Sequence, residues 1–169
     1  SLVPLVAIWE QILGCPHDLC DQYEALWQAQ LADPRPYYAR IRAEYNERPR
    51  PAHLLYLIAR CVKNAVRFNA DGQFNQSPDK RRLGMKPALL RRRVAEVHHA
   101  LHGRARVACG DYAASLRQAT SADVVYMDPP YMGVSGTRDA RYHQGLDYER
   151  FVSELASANA RGVSYIVSF

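Results

Sequence analysis

The chain has 169 residues, 48% hydrophobic and 23% charged, a balance that fits one folded domain and excludes a collagen-like, mucin-like or wholly disordered chain. Lys and Arg number 22 against 17 Asp and Glu, a net charge of +5. The surplus is concentrated: residues 67–106 hold ten basic side chains and three acids, so this stretch is +7 and the rest −2. One basic sector on a near-neutral chain points to a polyanionic partner, with a solvated helix face as the other reading. No run of 18 apolar residues occurs, so no membrane span is expected, and the apolar stretch after Ser1 lacks the basic flank of a signal peptide.

In chain order, residues 2–31 read as helix, interrupted where Gly14 and Pro16 stop the first segment and resuming over 19–31 with Tyr23, Leu26 and Trp27 on one stripe. Asp33-Pro34-Arg35-Pro36 is a break, 37–47 a short helix, and Arg48-Pro49-Arg50-Pro51 a second break. Residues 52–66 are the most apolar helix, and their wide apolar face implies burial on more than one side. Residues 67–78 have a strand–turn–strand pattern around Asp71-Gly72, a strong hairpin signal. A basic loop, Lys80-Arg81-Arg82-Leu83-Gly84, leads into a helix carrying Leu89, Leu90, Val94, Val97 and Leu101.

From residue 106 strands and helices alternate. Strands are expected at 106–109, 123–127 and 162–168, the last two of the kind buried on both faces, with helices at 111–119 and 147–160. The fold class is therefore α/β, a parallel sheet whose ligands bind at the carboxyl ends of its strands. Cys15, Cys20, Cys61 and Cys109 form no C-x-x-C pair and read as reduced thiols of a cytoplasmic protein. His98, His99 and His102 have no Asp or Cys at ligand spacing and lie among arginines, so they read as helix surface, and no metal is expected.

The most specific feature is Asp128-Pro129-Pro130-Tyr131, directly after the strand ending in Met127. Proline fixes φ and has no N–H, so two in succession make a stiff turn whose carbonyls are left as acceptors. An ionised Asp is likewise acceptor-only. Together they suit one planar NH₂ group, such as the exocyclic amine of a nucleobase. Accepting both its hydrogens draws the nitrogen towards tetrahedral geometry and localises its lone pair. Tyr131 offers an aromatic face for stacking, and a base in a duplex reaches such a pocket only by flipping out. The plain alternative is a proline-stiffened turn with a solvent-facing Asp.

With these residues in view, the chain resembles the Dam-like DNA adenine N6-methyltransferases, which use S-adenosylmethionine. Arg67-Phe68-Asn69, Gly72-Gln73-Phe74-Asn75 and Pro78 resemble the family's R-[YF]-N-x-x-G-x-F-N-x-x-P signature. Gly110-Asp111-Tyr112 resembles the acidic residue that ends a strand before the catalytic motif, and residues 125–131 are similar to that motif itself. Ser135, Thr137 and Tyr142 match its following loop.

The resemblance implies an incomplete Rossmann-like methyltransferase sheet over 106–169 and, over 1–105, a mostly helical segment with a DNA-recognition hairpin and a basic helix. Asp128, Pro129, Pro130 and Tyr131 would be catalytic, transferring a methyl group directly to adenine N6 in double-stranded DNA with no metal. Asp111 and Tyr112 would hold the adenine end of S-adenosylmethionine, an exposed strand-end Asp being the alternative for Asp111. Arg67, Asn69, Gln73, Phe74, Asn75, Ser135 and Thr137 would meet DNA, and so would Lys80, Arg81 and Arg82, most simply at phosphates. Phe74 and Asn75 could equally be core and turn residues. The family's glycine-rich cofactor motif and first strands have no counterpart here, and both ends look cut, so the chain reads as the central part of a larger catalytic domain. The expected setting is a monomer in the cytoplasm of a bacterial or phage-infected cell, in restriction-modification, phage or epigenetic marking. The competing readings are a non-catalytic DNA-binding remnant and a methyltransferase acting on RNA or a protein glutamine amide.

Overall fold

The computed structural model describes residues 3–129 and 146–168. The chain divides into two compact units, 2–109 and 110–169.

The first unit is helical: α1 (Val3–Gly14), α2 (Pro16–Ala29), α3 (Pro34–Glu47), α4 (Pro51–Arg60) and α5 (Pro87–Leu101). Four of the five helices begin on a proline. The sequence reading took Pro16, Pro34 and Pro51 as breaks, whereas they are starts. The first N–H of a helix has no partner to lose, and φ near −65° is already helical, so proline opens a helix as readily as it interrupts one.

Helix α4 is the centre of this unit and packs against α1, α2 and α3. Its Leu54, Tyr56 and Leu57 have no exposed surface. Burying each leucine contributes about 1.5–3 kcal/mol. The core around them holds Leu19, Tyr23, Tyr38, Ile41, Tyr45 and Phe74. The helix is shorter than the expected 52–66. It stops at Arg60 because Cys61 turns extended and forms an antiparallel bridge with Pro78, after which Lys63 and Asn64 take positive φ.

The expected hairpin is reduced to a single antiparallel bridge, Phe68 with Phe74. Its turn is built by Asn69, whose side-chain oxygen accepts from the Asp71 and Gln73 amides at 3.1 and 2.8 Å. Gly72 occupies the left-handed region there, φ +75°, where a side chain would be strained.

In the second unit β1 (Val124–Met127) pairs in parallel with β2 (Ser164–Val167), Val124 opposite Ser164 and Met127 opposite Val167. Helices α6 (Tyr112–Gln118) and α7 (Tyr148–Ala160) complete it. This is a small α/β arrangement with a parallel strand pair, as expected for the second part of the chain. Leu116, Leu155, Ala158 and Val163 pack with Val125, Met127 and Tyr165.

Two expectations are corrected here. Residues 106–109 form no strand and run as irregular chain. Among the described residues the strands are covered on one face: Val124, Tyr126 and Ile166 are 71%, 65% and 57% exposed, because α6 and α7 both contribute to the cluster on the opposite face.

Among the described residues no helix is long and apolar enough to cross a membrane, and no group of three or more His, Cys, Asp or Glu is placed to hold a metal ion. The histidines act locally instead. Nδ1 of His98 and Nδ1 of His102 lie 2.9 and 3.0 Å from the carbonyls of Ile12 and Leu13, in the last turn of α1, where helical carbonyls lack partners of their own.

Candidate functional site

Asp128 follows β1 directly, at the carboxyl end of the parallel pair. Ser168, at the same end of β2, donates its main-chain N–H to the Met127 carbonyl at 3.0 Å and its hydroxyl to Asp128 Oδ1 at 2.8 Å. The Tyr126 hydroxyl donates in turn to Ser168 Oγ at 3.2 Å. The sheet thus carries the carboxylate on a chain of hydrogen bonds, and Asp128 remains exposed. Tyr126 lay within the 125–131 motif without a role of its own, and Ser168 had no motif to mark it. Their role follows from strand register, which brings residues forty positions apart to one end. Pro129 is described and half-buried, whereas Pro130, Tyr131, Ser135, Thr137 and Tyr142 lie outside the described residues.

Asp111 caps the start of α6, its Oδ1 accepting from the Ala113 N–H at 2.8 Å. Arg150 of α7 grips the same carboxylate with two nitrogens at 3.0 and 3.2 Å. The Ala113 amide first, and then Arg150, hold its carboxyl below the usual carboxylate range. Tyr112 lies edge-on to Phe151, ring centroids 5.6 Å apart, beneath the Arg150 guanidinium. Its hydroxyl oxygen is buried with no hydrogen-bond partner among the described residues. The two candidate cofactor residues are therefore adjacent, one charged and one with an unmet polar atom.

The described candidate DNA-contacting residues fall on a segment, 67–85, laid over the helical unit. Its hold is on the main chain. Asn46 of α3 donates to the Phe74 carbonyl at 3.1 Å and accepts the Phe74 N–H at 2.8 Å. Tyr38 and Arg42, also of α3, donate to the Gln76 carbonyl at 3.0 and 3.2 Å. Arg60 of α4 donates to the carbonyls of Asp79, at 3.1 Å, and of Arg82. Gln30, at the end of α2, reaches the Leu83 carbonyl at 3.0 Å, and Tyr23 of α2 the Met85 carbonyl at 2.7 Å. Gln30 and Arg60 are 0% and 2% exposed; both amide atoms of Gln30 and Nη1 of Arg60 have partners, whereas Arg60 Nε is buried with none among the described residues.

Along this segment Arg67, Gln73, Asn75, Lys80, Arg81 and Arg82 are exposed. Asn69 is half-buried, with its side-chain oxygen committed to the turn. Phe74 is corrected to the core reading: it is 1% exposed, with its ring against Phe68 and Tyr45. The turn at 79–82 borders a pocket of about 420 Å³ whose lining includes Arg35, Lys80, Arg81 and Arg82. Asp79, 4% exposed, accepts from the Arg81 N–H at 2.9 Å and from Arg82 Nε and Nη2 at 3.0 and 2.9 Å. These bonds, the Arg81 amide first, hold its carboxyl low. Asn46, Arg60, Gln30 and Asp79 were not singled out from sequence. The available signal was a polar residue within or just after an apolar helical run, as Arg60 is.

The chain matches the family described as D12 class N6 adenine-specific DNA methyltransferase over residues 1–165. It is 30% identical over 129 residues to the DNA N-6-adenine-methyltransferase of Escherichia phage P1, covering 73% of this chain and 17% of that protein. It is 30% identical over 129 residues to the DNA adenine methylase of Escherichia coli (strain K12), covering 70% and 44%. The type II methyltransferase M1.LlaDCHI of Lactococcus lactis subsp. cremoris is 24% identical over 157 residues, 86% of this chain and 53% of that protein. The chain thus spans at most about half the length of these relatives. With the match running across both units, the chain belongs to the D12 class of N6 adenine-specific DNA methyltransferases.

Proposed function

We propose that this chain carries the amine-binding turn and part of the DNA-binding surface of an enzyme that methylates adenine N6 in double-stranded DNA. The observation that carries the reading is the placement of Asp128 at the carboxyl end of β1, with its carboxylate oriented by Ser168. A carboxylate fixed by the sheet is an acceptor in a set direction, which is what a flipped adenine amine requires. Ser168 orients Asp128 through Oδ1, and Asp128 accepts one amine hydrogen through Oδ2. The Pro129 carbonyl accepts the other, and Tyr131 stacks on the ring. With both hydrogens held, the nitrogen lone pair is localised and directed out of the ring plane.

S-adenosylmethionine supplies an electrophilic methyl group. Asp111 and Tyr112 fit its adenosine end: the carboxylate accepts from an exocyclic amine, and the buried Tyr112 hydroxyl, unmatched among the described residues, gains a partner. Arg67, Lys80 and Arg81 meet the DNA backbone, while Gln73 and Asn75 lie at the exposed turn where base edges are read. The setting is the cytoplasm of a bacterial or phage-infected cell.

The test is Asp128→Ala in the enzyme as its gene encodes it. Loss of adenine methylation in host DNA, read by methylation-sensitive long-read sequencing, together with retained photocrosslinking to S-adenosylmethionine, supports the reading. Retained methylation overturns it.

A further inference from the structure

We propose that Arg60 is a positioning residue for DNA contact: it shapes the 79–82 turn so that Lys80 and Arg81 face the DNA backbone, while Arg82, exposed but paired through its guanidinium with Asp79, is a strut of the turn. The inference rests on the DNA-binding reading above and divides the labour among three neighbouring cations that sequence alone treats alike.

Arg60 is 2% exposed, and its described hydrogen bonds run to main-chain carbonyls of Asp79 and Arg82. Burying a guanidinium is costly, and an apolar side chain of similar volume is often at least as good for stability. What an apolar residue cannot do is draw two carbonyls three residues apart to one nitrogen, Nη1. The main-chain N–H of Asp79 closes the same corner by donating to the Arg60 carbonyl at 2.7 Å. The chain between the two gripped carbonyls has to bulge outward, and Lys80 and Arg81 occupy the bulge.

The outer side of the turn is set by Asp79. Its carboxylate takes the Arg81 N–H and both Nε and Nη2 of Arg82, folding Arg82 back. The Arg81 side chain is 86% exposed and touches Asp79 only at long range, Nε 3.6 Å from Oδ1, where Arg82 makes two bonds of 3.0 and 2.9 Å. Immediately downstream Gly84, at φ +84°, lies so close to α4 that a Cβ there would stand 3.2 Å from the Ala59 carbonyl oxygen and from Arg60 Cδ. The segment is thus seated on the stem of Arg60 as well as gripped by its head.

Each phosphate contact contributes roughly 0.9 to the slope of log affinity against log salt. The test measures that slope for the whole chain by fluorescence anisotropy on a short labelled duplex. Arg60→Met is expected to lower the slope by about two, reproducing Lys80→Ala with Arg81→Ala, and Arg60→Lys is expected to restore part of it because an ammonium can still serve both carbonyls. Leu57→Val, which loosens the same helix without touching the turn, is expected to lower the melting temperature and leave the slope unchanged. Asp79→Asn is expected to raise the slope by about one by releasing Arg82. This last variant keeps the proposal testable if Arg60→Met does not fold. An Arg60→Met slope equal to that of the wild type overturns the positioning role, and an Asp79→Asn slope that does not rise overturns the strut. If the wild-type chain shows no salt-dependent binding at all, the DNA reading itself fails, before any variant is compared.

Discussion

The hydroxyl of Ser168 donates to Oδ1 of Asp128 at 2.8 Å, joining the ends of two strands that are forty residues apart in sequence. A hydrogen bond to a carboxylate contributes about 1.5–3 kcal/mol where water is excluded, the state that the exposed Asp128 reaches once a base is seated on it. Ser168→Ala is therefore expected to slow methyl transfer about tenfold or more, by loosening the direction of the carboxylate. S-adenosylmethionine affinity should be unchanged. Single-turnover kinetics on the gene-encoded enzyme, with cofactor binding measured separately, checks both halves. A wild-type rate constant would show that Asp128 needs no such support.

The second unit is expected to be acid-sensitive. Asp111, Asp123 and Glu154 are each held below their ordinary values: Asp111 by the Ala113 amide and Arg150, Asp123 by the Thr120 amide and hydroxyl, and Glu154 by Arg117. A lowered folded-state value means that the stabilisation is fully present above the ordinary carboxylate range. It is lost as pH falls through the lowered values, below about pH 4. Melting temperatures followed by circular dichroism should therefore be flat near neutrality and fall steeply under acid. Asp111→Asn should lower the neutral plateau and shrink the acid-dependent drop.

In the helical unit, Asn46→Ala removes both bonds that clamp Phe74 to α3. The expected loss is about 1–3 kcal/mol, the cost of leaving partly buried main-chain groups unsatisfied. Denaturant titration of the chain measures it, and a shift within error of zero would mean that water replaces the clamp at no cost.

Gly84→Ala is expected to destabilise by about 1–2 kcal/mol, from the left-handed backbone alone. The close approach to Ala59 and Arg60 adds to this. Gly103, also at positive φ but with open space around it, is the control: Gly103→Ala should show only the conformational part. Equal effects at both sites would mean that Gly84 does not lie tightly on α4.

Val124, Tyr126 and Ile166 leave an apolar sheet face open among the described residues. Exposed sheets of this kind promote association. Replacing Val124 and Ile166 together by Thr is expected to reduce concentration-dependent sedimentation and binding of a hydrophobic dye by the isolated chain, with strand pairing retained because Thr suits strands. No change in either measurement would mean that the face stays monomeric in solution.

Much of the strand-end site was legible because it is local. An apolar run of strand composition followed by Asp-Pro-Pro states where Asp128 stands, and helices α6 and α7 fall where the alternation of strands and helices after residue 106 puts them. Prolines were ambiguous, since the same fixed φ and missing N–H that break a helix also open one; only the packing of the residues that follow decides. The hairpin was over-read from Asp71-Gly72: the turn forms and main-chain bonds join Asn69 to Gln73 and Asn75 to Arg67, but pairing ends at one bridge and the chain beyond it is held by side chains from α3. Those bonds have no sequence period. Asn46, Arg60, Gln30 and Tyr23 reach main-chain carbonyls many positions away, so no spacing along the chain announces them. Ser168 was hidden for a related reason, because register between strands is a tertiary quantity. Phe74 was misplaced because a motif records which residue stands at a position, without telling whether its ring or its backbone serves.

The helices hold residues 74–85 almost entirely by peptide carbonyls, and every residue type carries the same carbonyl. The identity of the side chains at the exposed positions of this strip, such as Asn75, Ser77, Lys80 and Arg81, is thereby uncoupled from the way the strip is fastened. On the DNA-binding reading proposed above, such a mount lets the surface that meets DNA be rewritten one residue at a time while the scaffold beneath keeps its stability, and the strip is a natural place to begin redesigning it.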